Sequence, residues 1–318
     1  MQPGDCPKPS LTGTSNRASD GNVAPDRDPP YYEGMVDAEL YGLYPADAKG
    51  PFATVDIRNP SRERPTNAWP INIASARHSQ AKALSEEAFF AENGFVLLKH
   101  ETAVSDWDNV PPVFCDEIDE LIRKRLLPGK RLEIQQRPTP MRRGRGTANP
   151  HYAQGVHSDG PMTAELYGAN VGAFAGKQAQ QWWLDRYRRD DVAGFMSIDF
   201  WRTTNMAGPL QHMPLALCTP QSVERSDMLA MEFRGIAPEG RLTHHLALRF
   251  NPAQRWYFYP QMTADEVLAF KLCEFSKDEP NAHPQNCFHS AFYDPSAPQV
   301  VEERQSCEHR IGVLILRD

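Results

Sequence analysis

Several things are scarce in this sequence, and each scarcity removes a class of protein. There are six cysteines in 318 residues, Cys6, Cys115, Cys218, Cys273, Cys287 and Cys307, and no two form a C-x-x-C pair. A disulfide scaffold or a cysteine-bound zinc module is therefore not expected, and reduced thiols in a cytoplasmic protein are the simpler reading. There is no H-E-x-x-H, which removes the zinc-protease signature. No stretch approaches eighteen apolar residues, so no membrane-spanning helix is expected. The first residues lack a basic start followed by an apolar run, so no secretory leader is expected either. No internal repeat is present. Positive charge is also short: 34 basic against 41 acidic side chains give a net charge of −7. That balance argues against nucleic acid as the main partner. Arg142, Arg143 and Arg145 form one local basic cluster, suited to a solvated loop or a clamp for a small anion.

What is present is ordinary globular material. The hydrophobic fraction is 40% and the charged fraction 24%, enough over this length to bury a substantial core. Residues 1–30 are rich in Pro, Gly, Ser, Asn and Asp and read as a disordered or loosely attached arm. Residues 31–318 read as a single domain. Its first part, 31–130, holds a proline-rich wrapping segment with isolated aromatics, followed by helices. Ser85 caps a short helix that Gly94 ends, Phe95–Leu98 reads as a strand, and residues 113–127 carry apolar positions at helical spacing up to Pro128-Gly129.

From residue 131 the texture changes to short apolar runs punctuated by Pro, Gly and Asn: 132–134, 156, 195–201, 215–218, 246–250, 256–259 and 311–316. Such spacing predicts antiparallel strands in a mainly β jelly roll with flanking helices, a double-stranded β-helix of cupin-like type. Two helical interruptions are expected, at 176–190 and at 263–272. The second would open on Thr263 with Glu266 in the capping-box position.

Chemistry concentrates in one tripeptide. His157-Ser158-Asp159 is an H-x-D, and residues two apart on a strand face the same way, so a ring nitrogen and a carboxylate oxygen can share one metal. A distant second histidine would complete a facial triad with three open positions, the geometry of non-haem iron(II) oxygenases. H-x-D alone is a pattern that chance supplies readily, and the plain alternative is a surface turn before Gly160-Pro161. His289 is the candidate distal ligand. About twenty residues later Arg310 heads an otherwise apolar strand, where a charge needs a partner. Such an arginine can grip a carboxylate in a bidentate, charge-assisted pair. Arg304-Gln305-Ser306 is a competing clamp. His244 and His245 alternate faces and so do not read as joint ligands, and His151, His212, His283 and His309 lack a matching carboxylate. Arg202 stands as a substrate-anion candidate beside the alternative of a structural arginine covering Trp201.

A family resemblance rests on several segments. Trp201-Arg202, Pro214–Cys218, Gln254–Val267, His289–Pro295 and Ser306–Arg310 resemble the family that holds the cephem 7α-methoxylation component, gibberellin desaturase and related secondary-metabolite hydroxylases. The resemblance spans roughly residues 90–318. It implies a double-stranded β-helix, iron(II) and 2-oxoglutarate. It also implies metal ligation by His157, Asp159 and His289, and cosubstrate binding by the basic pattern of Arg304, Ser306 and Arg310. The implied reaction couples decarboxylation of 2-oxoglutarate to hydroxylation, desaturation or oxidative cyclisation at a C–H bond of a small molecule. The partners expected are that substrate, of anionic type if Arg202 and the Arg142–Arg145 cluster serve it, and dioxygen. No nucleic acid and no membrane are expected, and at most a second copy of the chain. Two rivals stay open: an iron oxidase with the same triad that needs no 2-oxoglutarate, and a non-catalytic jelly-roll partner of a biosynthetic enzyme.

Overall fold

A central strand shows why the β elements sit where they do. Val192–Thr203 is twelve residues long and buried on both faces for almost its whole length. A strand of that kind must be covered by other structure on each side. The computed structural model describes residues 34–49, 54–56, 67–135 and 140–318. The arm expected over residues 1–30 lies outside them.

In chain order the described elements begin with β1 (Met35–Leu40), β2 (Val55–Asp56) and β3 (Trp69–Ser75). Helices α1 (Ala76–Ala81) and α2 (Glu86–Asn93), β4 (Phe95–Lys99) and α3 (Val113–Leu121) follow. Then come β5 (Arg131–Gln135), β6 (Met141–Arg143), α4 (Ala164–Ala175), α5 (Lys177–Arg188) and β7 (Val192–Thr203). The chain continues through β8 (Leu215–Cys218), β9 (Met228–Arg234), β10 (Leu242–Leu248) and β11 (Trp256–Phe258). It finishes with β12 (Glu266–Ser276), β13 (Phe288–Ala291) and β14 (Ser306–Leu316). No helix among the described residues is long and apolar enough to cross a membrane.

The strands form a larger sheet, β4-β12-β7-β14-β5 with β6 also on β14, a five-stranded sheet, β1-β3-β11-β8-β13, and a short one, β10-β9-β2. The larger sheet is antiparallel throughout. The first two sheets give the fold its jelly-roll character, and aromatic contacts cross between them. Phe270 of β12 meets His289 of β13 edge to face at 4.9 Å, and Phe95 of β4 meets Tyr257 of β11 at 5.8 Å. The hairpin of β9 and β10 is spliced between β8 and β11.

Sequence periodicity dictates the helices outside. Phe114, Ile118, Leu121 and Ile122 recur at helical spacing. They join Ile198, Phe200, Ile311 and Val313 in the largest apolar cluster, so α3 covers the outer face of β7 and β14. One wide turn, Ile122–Leu126, closes α3, with the Leu127 amide reaching back to Ile122 O at 2.8 Å. Helix α2 starts on the Ser85 hydroxyl, which accepts from Ala88 N at 3.1 Å, and stops at Gly94 with φ 76°. Helix α5 occupies most of the stretch predicted helical. Trp183 on it packs with Phe195 and Leu314.

The second predicted helix is a strand. Half of the expected capping box forms: Thr263 N donates to Glu266 Oε2 at 2.9 Å, but Glu266 N donates to the Thr263 carbonyl at 3.0 Å while the Thr263 hydroxyl turns to Asp265 Oδ1 at 2.5 Å. The chain then enters β12 instead of a helix. Val267–Phe270 are buried on both faces, between β4 and β7, and that pairing outweighs the local capping signal. Helix α4, rich in alanine and glycine, was not foreseen.

Candidate metal centre

The H-x-D segment crosses between two strands. His157 and His289 exchange backbone hydrogen bonds, 3.2 and 2.9 Å, and Ser158 and Leu246 do the same at 2.9 and 3.0 Å. Residues paired in this way point their side chains to one face. His157 therefore shares a face with His289, and Asp159, two residues on, shares that face. Gly160 sets how closely the loop approaches β12: a Cβ there would lie 2.1 Å from Leu272 O. Asn286 ties the same place, donating from Nδ2 to Leu272 O at 2.8 Å, Gly160 O at 3.0 Å and Ser158 Oγ at 3.3 Å.

Three ligand atoms, one from each of His157, Asp159 and His289, lie within 4.8 Å of one another. His157 Nε2 is 3.8 Å from Asp159 Oδ1, and His289 Nε2 is 3.7 Å from Oδ2. Both rings are already oriented. His157 Nδ1 contacts Gly155 O at 2.7 Å and His289 Nδ1 contacts Cys287 O at 3.1 Å. A carbonyl requires the proton on Nδ1, which leaves the Nε2 lone pair facing the carboxylate, the tautomer a metal needs.

Electrostatics prepare the same state. Burial, followed by the neighbouring His289, lowers the His157 pKa to about 3, so its ring is neutral. Burial opposes ionisation of Asp159, yet the Arg310 guanidinium, first among its neighbours, holds its carboxyl well below the usual range. Arg310 Nη2 donates to Asp159 Oδ2 at 2.7 Å and lies 3.4 Å from Glu308 Oε1.

A cavity of about 560 Å³ opens on this group. Trp201, Glu308 and Arg310 of β7 and β14 line it together with Phe270, Leu215 and Arg304. Phe174, Phe233, Ile236, Met141 and Arg143 also contribute to its wall. Arg304 is only 1% exposed, yet no carboxylate lies within ion-pair distance among the described residues. Its Nη1 donates to Met213 O, its guanidinium stacks 4.2 Å from the Tyr152 ring centre and 5.4 Å from that of Trp201, and its Nε has no partner. Burial lowers its pKa to about 9. Ser306, on the same strand face as Glu308 and Arg310, is buried with its hydroxyl unpartnered.

The other sequence candidates fall elsewhere. Arg202 is buried on the opposite face of β7 from Trp201. It donates to Ala264 O, lies 3.3 Å from both His100 O and His100 Nδ1, and stands over the Trp107 ring. It does not line the cavity, because adjacent strand residues alternate sides. Of the basic cluster only Arg143 reaches the wall, and it is held by His151 O at 2.8 Å and Glu308 at 3.4 Å; Arg142 pairs with Asp108. Two residues at the site were missed. His245, set aside because it neighbours His244, stands 3.3 Å from Asp159 Oδ1, while His244 turns to Glu232. Asp199 is fully buried opposite Arg310 with both carboxylate oxygens unpartnered; burial and the charge of Glu308 raise its pKa to about 8. An acidic residue inside an apolar strand was the available signal for Asp199. For His245 the register against Ser158 had to be known.

A jelly roll with a His-Asp-His group at one cavity defines a candidate mononuclear metal enzyme. Residues 41–314 match the family described as oxidoreductase/YMDC permease-like domain, and the chain belongs to that family. A curated relative, alpha-ketoglutarate-dependent dioxygenase phiK of a fungal species, is 24% identical over 236 residues, covering 70% of this chain and 78% of the relative. Hydroxylase/desaturase efuI of Hormonema carpetanum is 29% identical over 119 residues, covering 34% and 38%. Among solved structures, the iron and alpha-ketoglutarate-dependent endoperoxidase NvfI superposes with a TM-score of 0.67, 16% identity and coverage of 89% of this chain and 99% of that one. That likeness is one of fold.

Proposed function

We propose that this chain is a non-haem iron(II)/2-oxoglutarate-dependent oxygenase acting on a C–H bond of a small molecule in secondary metabolism, with residues 31–318 as one oxygenase domain. The observation that carries the reading is the convergence of His157 Nε2, Asp159 and His289 Nε2, with both Nδ1 atoms committed to backbone carbonyls. Two imidazoles and one carboxylate on a single face suit iron(II) with open positions. The names of phiK and efuI support the same chemistry, and the resemblance of the C-terminal segments favours the gibberellin-desaturase-like group within it. Iron and 2-oxoglutarate together supply the oxidising power for C–H functionalisation.

The chain's own residues divide the remaining work. Arg304, with a buried charge and no acidic partner, is the anchor for the far carboxylate of 2-oxoglutarate, aided by the Ser306 hydroxyl. From the sequence Arg310 was the preferred anchor. In the structure its charge is matched by Asp159 and Glu308, which suits it to orienting the metal's carboxylate. The apolar lining of Trp201, Leu215, Phe270, Phe174, Phe233, Ile236 and Met141 excludes water and receives the substrate's apolar surface.

The test is anaerobic addition of iron(II) and 2-oxoglutarate to metal-free protein. A weak visible band near ~500 nm is expected as the 2-oxo acid chelates a facial-triad iron. Iron binding without the band favours the oxidase that needs no cosubstrate. Absence of iron binding overturns the proposal.

A further inference from the structure

The β9–β10 hairpin places an unassigned group against the candidate metal ligand. His245 is 5% exposed, and its Nδ1 is buried with no partner of hydrogen-bond alignment. The atom it faces is Asp159 Oδ1, 3.3 Å away. Across the ring, His245 Nε2 lies 2.9 Å from Thr243 Oγ1, and the ring centre stands 4.9 Å from that of Phe233, with the planes at 89°. The Thr243 hydroxyl has a second acceptor, Phe233 O, at the longer distance of 3.4 Å.

These contacts select a proton arrangement. An anionic carboxylate beside Nδ1 disfavours a bare lone pair there. The Thr243 proton directed at Nε2 puts the ring proton on Nδ1, toward Asp159. Arg310 donates to Asp159 Oδ2, and a protonated His245 Nδ1 is placed 3.3 Å from Oδ1, needing only a small rotation of the carboxylate or ring to donate to it. Phe233, which packs on this imidazole, also lines the cavity wall, so one hairpin serves both the substrate side and the metal side.

We infer that His245 is a positioning residue for the metal centre: its Nδ1–H fixes the rotation of the Asp159 carboxylate, and Thr243 fixes the tautomer that lets it do so. The inference rests on the iron reading of His157, Asp159 and His289, and deepens it. Groups that orient a ligand from behind typically change metal affinity by about 10–100-fold when removed.

The experiment compares His245→Ala and His245→Asn with the wild-type chain by iron(II) titration, by the visible band with 2-oxoglutarate, and by thermal melting. Asparagine places an amide N–H where Nδ1 stands, without the Thr243 link. The expected result is a roughly 10–100-fold loss of iron affinity and a shifted band for His245→Ala. His245→Asn should recover most of both, and both variants should melt cooperatively. Wild-type affinity and an unshifted band in His245→Ala would overturn the inference. So would equal losses in both variants, since that would make His245 a packing residue or a ligand in its own right. If the wild-type chain itself binds no iron, the metal reading fails first, and the two failures are thereby told apart.

Discussion

The two faces of the β7–β14 pair share one backbone and treat their charges in opposite ways. On the outer face, beneath α3, Arg202 is 1% exposed and both terminal nitrogens have partners in the protein: the His100 carbonyl and ring and the Ala264 carbonyl. Arg304 runs into the inner face equally buried and, like Arg202, meets no acid at ion-pair distance among the described residues; it finds one carbonyl and two aromatic rings. Asp199 and Ser306 on the inner face likewise leave oxygens unpartnered. Burying polar groups without partners costs free energy that a stable fold avoids unless a ligand completes the set. Arg202 Nε is also left without a partner, but the chain uses both of its terminal nitrogens, whereas the inner face leaves an arginine, a carboxyl and a hydroxyl open to something added.

The comparison can be broken at several strengths. The heaviest blow is His157→Ala or His289→Ala. Each should abolish iron binding and turnover while near-ultraviolet circular dichroism stays native, and retention of full activity by either would refute the triad. Next is the pair of arginines. Arg304→Ala should raise the KM for 2-oxoglutarate by roughly 100-fold, the loss of a charge-assisted hydrogen-bond pair. Arg202→Ala should leave that KM unchanged and lower unfolding stability by about 3 kcal/mol, measured in urea. Equal KM effects would erase the distinction between faces.

A smaller effect falls on the loop that carries the ligands. Asn286→Ala strips donors from Leu272 O and Gly160 O and should cost about 2 kcal/mol, read as a lower melting temperature with iron affinity falling in parallel.

The subtlest effect is a pH dependence. The Asp199 carboxyl is raised to about 8 by burial and Glu308, so the folded protein keeps a proton that the unfolded chain releases near pH 4. Its stabilising contribution is complete below the unfolded value and drains away as pH rises toward about 8. Asp199→Asn should therefore gain in melting temperature over wild type as pH goes from about 5 to about 8. A constant difference across that range would remove the titration from the inner face.

Much of this architecture was legible in one dimension. The runs at 195–201 and 215–218 and the histidine pattern depend on local periodicity and residue type. His157, Asp159 and His289 could be singled out because residues two apart on a strand share a face and because a distal histidine and then an arginine follow in the order the family resemblance implies. What stayed hidden depends on register. His245 looked like half of an unusable pair until the bridge from Ser158 to Leu246 brought its strand beside the ligand. Arg202 stands as an anion-binding candidate by residue type alone, and only the strand shows that it faces away from Trp201 and the cavity, since adjacent strand positions do not share a face. Glu266 reached back to the Thr263 amide and still began a strand, because the deciding partners, β4 and β7, lie more than sixty residues away. Arg304 and Arg310 could not be ranked without seeing which acid each one meets.

The β9–β10 hairpin carries a consequence for how such enzymes diversify. Because it is spliced between two jelly-roll strands, it resembles an exchangeable cassette: a new loop could present a new wall in place of Phe233 and Ile236 and welcome a different molecule. Yet Leu246 holds the H-x-D segment through its backbone, and His245 leans on its carboxylate. Recombining that cassette would therefore retune the redox core along with the binding wall. Chimeras made by whole-hairpin exchange should lose activity more often than those made by altering Phe233 and Ile236 in place.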